Sequence, residues 1–444
     1  MACNVRVYSN EGELALIDSF EVRDDHYEYS VARRVAQPFD GMVEFEFVSS
    51  KNLRFPFPGV TAFFKSATGA HSSVHSSGRV KNTDESQSLK KSSESNWFFK
   101  YTPDTVCPFI HLFNGPKAKE TRECQIEIFN KNGKKIASAS AAFPENAFAS
   151  KMILLKDLFK PQELSESSYG VVNFDCGSIF PRLVVGNYHF SDYHLEATHT
   201  FSFQSSSDFL DNQTENKELS RLAFISPLSH EELDLKLISF PTNDEAIVRG
   251  KISYVNSESG RLVPSNDLLE WDTGSKNGKL LTYSLPENVN AALIEFNKGP
   301  IPARLNTSFL YSVKGSNSPY SAEVATGAKS YVYPPKQSHW GAGMLSQDFD
   351  TVLLLRNVSH NSAHKTPSSV EVTVFLNGVR KIFKTEVLED GYKSVSFKKE
   401  LNLTDAEISQ AKYLSWFAKS ELPTVDIYWV SYSRDGKICG DHAF

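Results

Sequence analysis

Val43-Glu44-Phe45-Glu46-Phe47 alternates apolar and acidic side chains, and its pattern returns three more times along the chain. The later copies are Val171-Val172-Asn173-Phe174, Leu293-Ile294-Glu295-Phe296 and Tyr413-Leu414-Ser415-Trp416-Phe417. Their closing phenylalanines stand at 47, 174, 296 and 417, which gives separations of 127, 122 and 121 residues. A proline follows each copy (Pro56, Pro181, Pro302, Pro423), and then a second strand rich in aromatics: Phe63-Phe64, Tyr188 with Phe190, Phe309 with Tyr311, and Tyr428-Trp429. A fixed period of this length is the signature of one supersecondary unit copied in tandem.

Two other segments cycle with this one. Cys124–Asn130 and Val370–Leu376 alternate apolar and polar residues, and each runs into Asn-Gly, at Asn132-Gly133 and Asn377-Gly378. Asn-Gly between alternating runs predicts a tight hairpin, because both central residues need positive φ. Looser versions are Val5-Arg6-Val7 before Glu11-Gly12, and Ile252-Ser253-Tyr254 before Ser259-Gly260. The third segment is an apolar core strand, Phe109-Ile110-His111-Leu112, Leu233–Ile238 and Val352-Leu353-Leu354-Leu355. Trp97 to Asn114 and Trp340 to Asn357 each span 17 residues, which makes the two tryptophans counterparts.

The cycle predicts an all-β fold of tandem antiparallel β-sandwich repeats, about three copies of a unit near 122 residues long with unpaired half-units at each end. The expected divisions are an N-terminal hairpin half-unit over 1–40, sandwiches over 41–168, 169–290 and 291–411, and a C-terminal half-unit over 412–444. The two half-units could pair and close the molecule, hiding two sheet edges, or leave an open rod. A capping box at Thr404-Asp405-Ala406-Glu407 predicts a helix over 404–416, and a shorter one is expected near Leu154–Phe159. The Ser-rich stretches 81–96 and 204–220 read as loops.

Bulk properties exclude several classes. With 444 residues, 32 Phe and only 4 Met, the chain suits several sheet-built domains rather than helical bundles. A net charge of −6 without a basic stripe gives no footprint for nucleic acid. There is no apolar run long enough for a membrane span, and no signal core at the N-terminus, so the expected location is cytoplasmic. Five widely spaced cysteines without Cys-x-x-Cys fit reduced thiols.

The densest polar stretch is Tyr188 to His199, with His189, His194, Glu196 and His199 as candidate metal ligands. Strand parity puts His194 and Glu196 on one face and His199 on the other unless a bulge intervenes. The bland reading is a solvated edge hairpin, since no ligand spacing matches a mechanistic motif. The repeat adds a second argument. His75 (with His71), His199 and His442 recur near the ends of the aromatic hairpins, where the remaining copy has Glu323-Val324-Ala325-Thr326. Such recurrence fits a shared fold contact or a set of related ligand sites. Candidate ligand-binding residues are His71, His75 and Arg79 in a Ser/Gly-rich loop, and Trp340 beside Gly341 and Gly343, where a ring could stack on a sugar. Trp97 argues instead that Trp340 anchors a core.

No phosphate loop, nucleophile elbow, His-Glu-x-x-His or calcium loop is present. The expected function is therefore a non-catalytic binding or scaffolding protein for a polysaccharide or a protein partner, with no cofactor unless a divalent metal. One alternative is a metal-dependent enzyme centred on 189–199. The other is a structural subunit of a larger assembly.

Overall fold

The computed structural model describes all residues except 23–26, 37–38, 52–58, 76–77, 81–91, 117–122, 176–178, 182, 200–229, 241–246, 257–261, 273–279, 285–288, 299–305, 328–336, 358–363, 390 and 444. The expected loop at 204–220 lies outside the described residues. The fold is nearly all β, and its strands form antiparallel sheets of two to four strands. No helix among the described residues is long and apolar enough to cross a membrane.

Both Asn-Gly hairpins form, but only Asn377-Gly378 has both central residues at positive φ; in the other turn Gly133 has it and Asn132 does not. Ser368–Leu376 pairs with Val379–Val387 around Asn377 and Gly378, both at positive φ (52° and 74°). Glu123–Phe129 pairs with Lys135–Ala142 around Gly133 at φ 77°. A two-stranded hairpin alone is marginal in water. Each therefore takes the recurrent Phe-bearing strand as a third member: Ala2–Ser9 pairs with Gly41–Val48, Glu123–Phe129 with Tyr169–Asp175, Ile247–Asn256 with Val289–Lys298, and Ser368–Leu376 with Tyr413–Ser420. These ladders run across the expected divisions at 40/41, 168/169, 290/291 and 411/412.

Sheet order recurs as well. The sequence Lys135–Ala142, Glu123–Phe129, Tyr169–Asp175, Ser92–Phe98 has its counterpart in Val379–Val387, Ser368–Leu376, Tyr413–Ser420, Ser338–Met344. Strand Ser92–Phe98 occupies the end of the stretch expected as a loop. Each of these sheets faces a second one. Trp97, Ile126 and Val172 share a core with Ile110, Ile153 and Val185, and Val370, Val374 and Trp416 share one with Leu353, Val395 and Trp429. Two packed sheets around one apolar layer are a β-sandwich.

Two expectations are corrected. The helix at the capping box spans only Asp405–Gln410, because Tyr413–Ser420 is committed to the repeated sheet. Thr404 and Glu407 do cap it reciprocally. Near residue 154 the chain makes a 3-10 turn at Leu155–Asp157, and the α-helix comes later, at Pro161–Glu166.

The tryptophan correspondence also resolves differently. Trp97 is fully buried and lies opposite Gly170; a Cβ at Gly170 would come within 2.6 Å of Phe99 and 3.0 Å of Trp97. In the last sandwich the glycine is Gly341 on the outer strand, and Trp416 on the inner strand fills the space. Trp416, not Trp340, is the buried anchor. Trp340 points to the other face, half-buried, with its ring against Gly59.

The second sheets end in edge strands. His194–Thr198, Ala322–Gly327 and Ile438–His442 each pair on one side only, as does His71–His75. These four edges meet. His71–His75 packs against His194–Thr198 and Ile438–His442, and Ala322–Gly327 packs against the same two. A closed ring of edges results, with the first and last sheet assemblies as neighbours.

Candidate functional site

The ring is unusually polar for a buried place. All five residues of His71–His75 are buried, and Asp192, His194, Glu196, Thr198, His199 and Asp441 are buried with them. Buried polar groups are costly unless satisfied, and here the partners come from different sheets.

At one end, hairpin turns touch. Ala67 N–H donates to the Asp192 carbonyl over 3.0 Å, and Thr68 donates its hydroxyl to Asp192 Oδ2 over 2.7 Å. Tyr320 donates to that same oxygen over 2.6 Å. A Cβ on Gly436 would strike Ser316 and Ser318, so the last turn is seated against the third. These turns have a residue in the left-handed region: Gly69 at φ 83°, Tyr193 at 58°, Gly315 at 70° and Gly436 at 92°. Glycine adopts that conformation without a Cβ penalty, whereas a bulky residue there is strained. Tyr193 is the exception in the set, and it is 72% exposed.

Below the turns lies a first polar group. Glu196 Oε1 accepts from Lys100 Nζ at 2.8 Å and from the Ser321 N–H at 2.6 Å, and lies 3.3 Å from His189 Nε2. Burial pushes the Glu196 carboxyl up, but Lys100 and His189 outweigh it and hold the group down at about 2. Burial drives His194 down to about 4, so its ring is neutral at pH 7. Neither His194 nitrogen has a hydrogen-bond partner among the described residues. His71 is likewise driven down to about 4 by burial, with Nε2 3.1 Å from the Tyr413 hydroxyl. On the neighbouring strand, burial pushes Glu323 up to about 7, against hydrogen bonds from Ser308 and the Phe98 N–H.

At the other end of the strands is a second group: His75, His199, Asp441 and His442, the group of potential metal ligands among the described residues whose donor atoms all lie within 4.8 Å of one another. His75 Nδ1 is 3.0 Å from Asp441 Oδ2, which also accepts from the His75 N–H at 3.2 Å. Asp441 Oδ1 lies 3.8 Å from His199 Nε2 and 3.1 Å from His442 Nδ1. The His75 and His199 rings meet edge to face with centroids 3.8 Å apart. Burial raises the Asp441 carboxyl, but His75 and His199 outweigh this and hold it well below the usual carboxylate range.

The residues singled out in the sequence thus divide. His189, His194 and Glu196 belong to the upper group, and His199 and His75 to the lower. His71 lies beside Tyr413. Trp340 stands apart from both, against Gly59. Arg79 pairs its backbone with Phe180, and its side chain lies outside the described residues. Asp441, Lys100 and Tyr320 escaped sequence reasoning, and Asp192 lay within the polar stretch 188–199 without being taken as a candidate. For Asp441 a signal existed: counted from the turn residues, 75−69, 199−193 and 442−436 all equal 6, which puts three histidines in one register with Asp441 beside the last. No protein-family model matches this chain, and no curated relative matches it either.

Proposed function

We propose that this chain is a non-catalytic recognition scaffold that takes a polysaccharide at the turn end of its ring of edge strands. Tyr193 carries the reading. An aromatic residue in the left-handed region costs about 1–2 kcal/mol, and at 72% exposure little packing offsets that cost. Strain of this kind collects at functional positions. An exposed phenol ring offers a flat face to the C–H side of a sugar and a hydroxyl to its edge. Exposed Ser191, Lys314 and Asn317, on this turn and the adjoining one, add polar groups of the type that fix orientation.

The test is a glycan array probed with wild-type chain and with Tyr193→Gly. Binding that disappears in a folded Tyr193→Gly variant supports the reading. An array without hits, or hits that Tyr193→Gly retains, overturns it; capture of a protein through Tyr193 in its place would assign the same surface to a protein partner.

A structural subunit of a larger assembly is the second reading, and one observation favours it. The outer edge strands Leu14–Glu21 and Val379–Val387 expose Leu14, Ile17, Val379 and Ile382. Unpaired edges with apolar side chains invite pairing with another chain. Light scattering that finds only monomer at high concentration removes this reading. The metal-dependent enzyme centred on 189–199 has less behind it, because those side chains fall into two groups at opposite ends of a strand.

A further inference from the structure

The lower group has the donors of a metal centre. Three imidazoles and one carboxylate arrive from three places far apart in the chain: His75 at the end of one edge strand, His199 just beyond another, and Asp441 with His442 at the end of a third. Their donor atoms already lie within 4.8 Å of one another. Packing polar rings and a carboxylate this closely in a buried place is unfavourable unless something holds them in common. Part of that is supplied by Asp441, whose two oxygens face the three rings.

We propose that His75, His199, Asp441 and His442 bind one divalent first-row transition-metal ion, which fastens the first, second and last edge strands together. The donor chemistry selects the class. Nitrogen and carboxylate oxygen without thiolate suit zinc and its neighbours, and argue against a calcium or magnesium site, which would need mostly oxygen. Four protein donors complete a tetrahedral shell. His75, His199 and Asp441 side chains are 3% exposed and that of His442 is 29% exposed. A shell filled by four protein donors, three of them buried, is that of a structural site, since catalytic ones keep a position for water or substrate. The ion therefore acts as a clasp. It holds together residues 75 and 442, which are 367 positions apart in the chain.

The repeat explains how such a site arises. His75, His199 and His442 each stand six residues after the left-handed residue of their turn. Separate copies of a unit would carry them to separate places. The closed ring of edges carries them to one.

The experiment uses untagged full-length chain, stripped with a chelator and then titrated with zinc and, separately, with cobalt(II). The expected result is about one ion per chain, the visible absorption of tetrahedral cobalt(II), and a melting temperature that rises with zinc and returns to its starting value with chelator. Asp441→Asn and His199→Gln, which keep shape, should weaken zinc binding by ten-fold or more while far-UV circular dichroism stays that of wild type. If either variant does not fold, the cobalt spectrum of the wild-type chain decides the question. Absence of stoichiometric binding by the stripped wild-type chain overturns the proposal, as does zinc affinity that both folded variants retain. Tyr193→Gly should bind zinc as wild type does, so failure of the glycan test leaves this one standing.

Discussion

Thr68 and Asp192 are joined by a 2.7 Å hydrogen bond between two hairpin turns 124 residues apart in the chain. Because Tyr320 donates to the same carboxylate oxygen, Asp192 links three turns. Hydrogen bonds to an ionised group contribute about 1.5–3 kcal/mol. Asp192→Ala is expected to lower stability by about that amount, and Asp192→Asn by less, since the amide oxygen can still accept. Chemical denaturation measures both. Equal loss in the two variants would contradict a charge-assisted bond.

Tyr193→Gly is expected to raise stability. The turn keeps its conformation and sheds the Cβ penalty, about 1 kcal/mol after the extra freedom of glycine in the unfolded chain is subtracted. The check is a urea or thermal midpoint compared with wild type. A lower midpoint would mean that the phenol ring is held by contacts that repay its conformation.

His194→Phe is expected to be neutral or stabilising. The ring packs against Tyr320 at 4.7 Å between centroids, and neither nitrogen has a partner among the described residues. An unsatisfied buried polar atom costs about 1–3 kcal/mol, and an apolar group of the same shape removes that cost. A large drop in melting temperature would show that the imidazole serves a polar purpose.

Glu323 gives a pH dependence of definite sign. Burial raises its carboxyl from an ordinary value of 4.5 to about 7 in the fold. Between those values the folded state holds a proton that the unfolded state has released, so stability falls as pH rises from 4.5 to 7 and then levels off. Glu323→Gln should flatten this part of the curve. Loss of stability below 4.5 should remain in the variant, because Glu196 is held down at about 2 and contributes stability above 4.5 that acid removes. Denaturant midpoints at a series of pH values test both limbs.

Gly341→Ala is expected to destabilise the last sandwich by about 1–3 kcal/mol. The added methyl would lie 2.5 Å from the Trp416 ring, which is fully enclosed and cannot withdraw. Trp416→Phe in the same chain should recover part of the loss. No recovery would mean that the strain lies in the backbone.

Strands and turns were legible in the sequence because their causes are local. Asn377-Gly378 dictates its turn through two positive φ angles, and Val370 to Leu376 marks its inner face by alternation. The helix after Thr404 was overextended, since a capping box fixes where a helix starts and says nothing about the sheet that claims Tyr413. Trp340 and Trp97 share a spacing but not an orientation; which strand holds the tryptophan and which the glycine is a pairwise fact, visible only when Gly341 and Trp416 are side by side. The polar site was half legible. His75, His199 and His442 stand out through recurrence, yet recurrence alone fits one fold contact or one ligand site per copy, because nothing local says that edge strands converge. Asp441 was marked only indirectly, by standing beside His442 in the six-residue register from the turns. Its position beside two buried rings depends on closure between the first and last sheet assemblies.

That closure imposes an order of events on synthesis. Of the four edges in the ring, Ile438–His442 is made last, and both the strand between His71–His75 and Ala322–Gly327 and the carboxylate that gathers the histidines belong to it. Earlier sandwiches can fold as they emerge, but they wait with unsealed flanks, and a ribosome that stops short of the Ile438 codon releases a product that lacks both the third imidazole and the carboxylate that faces all three.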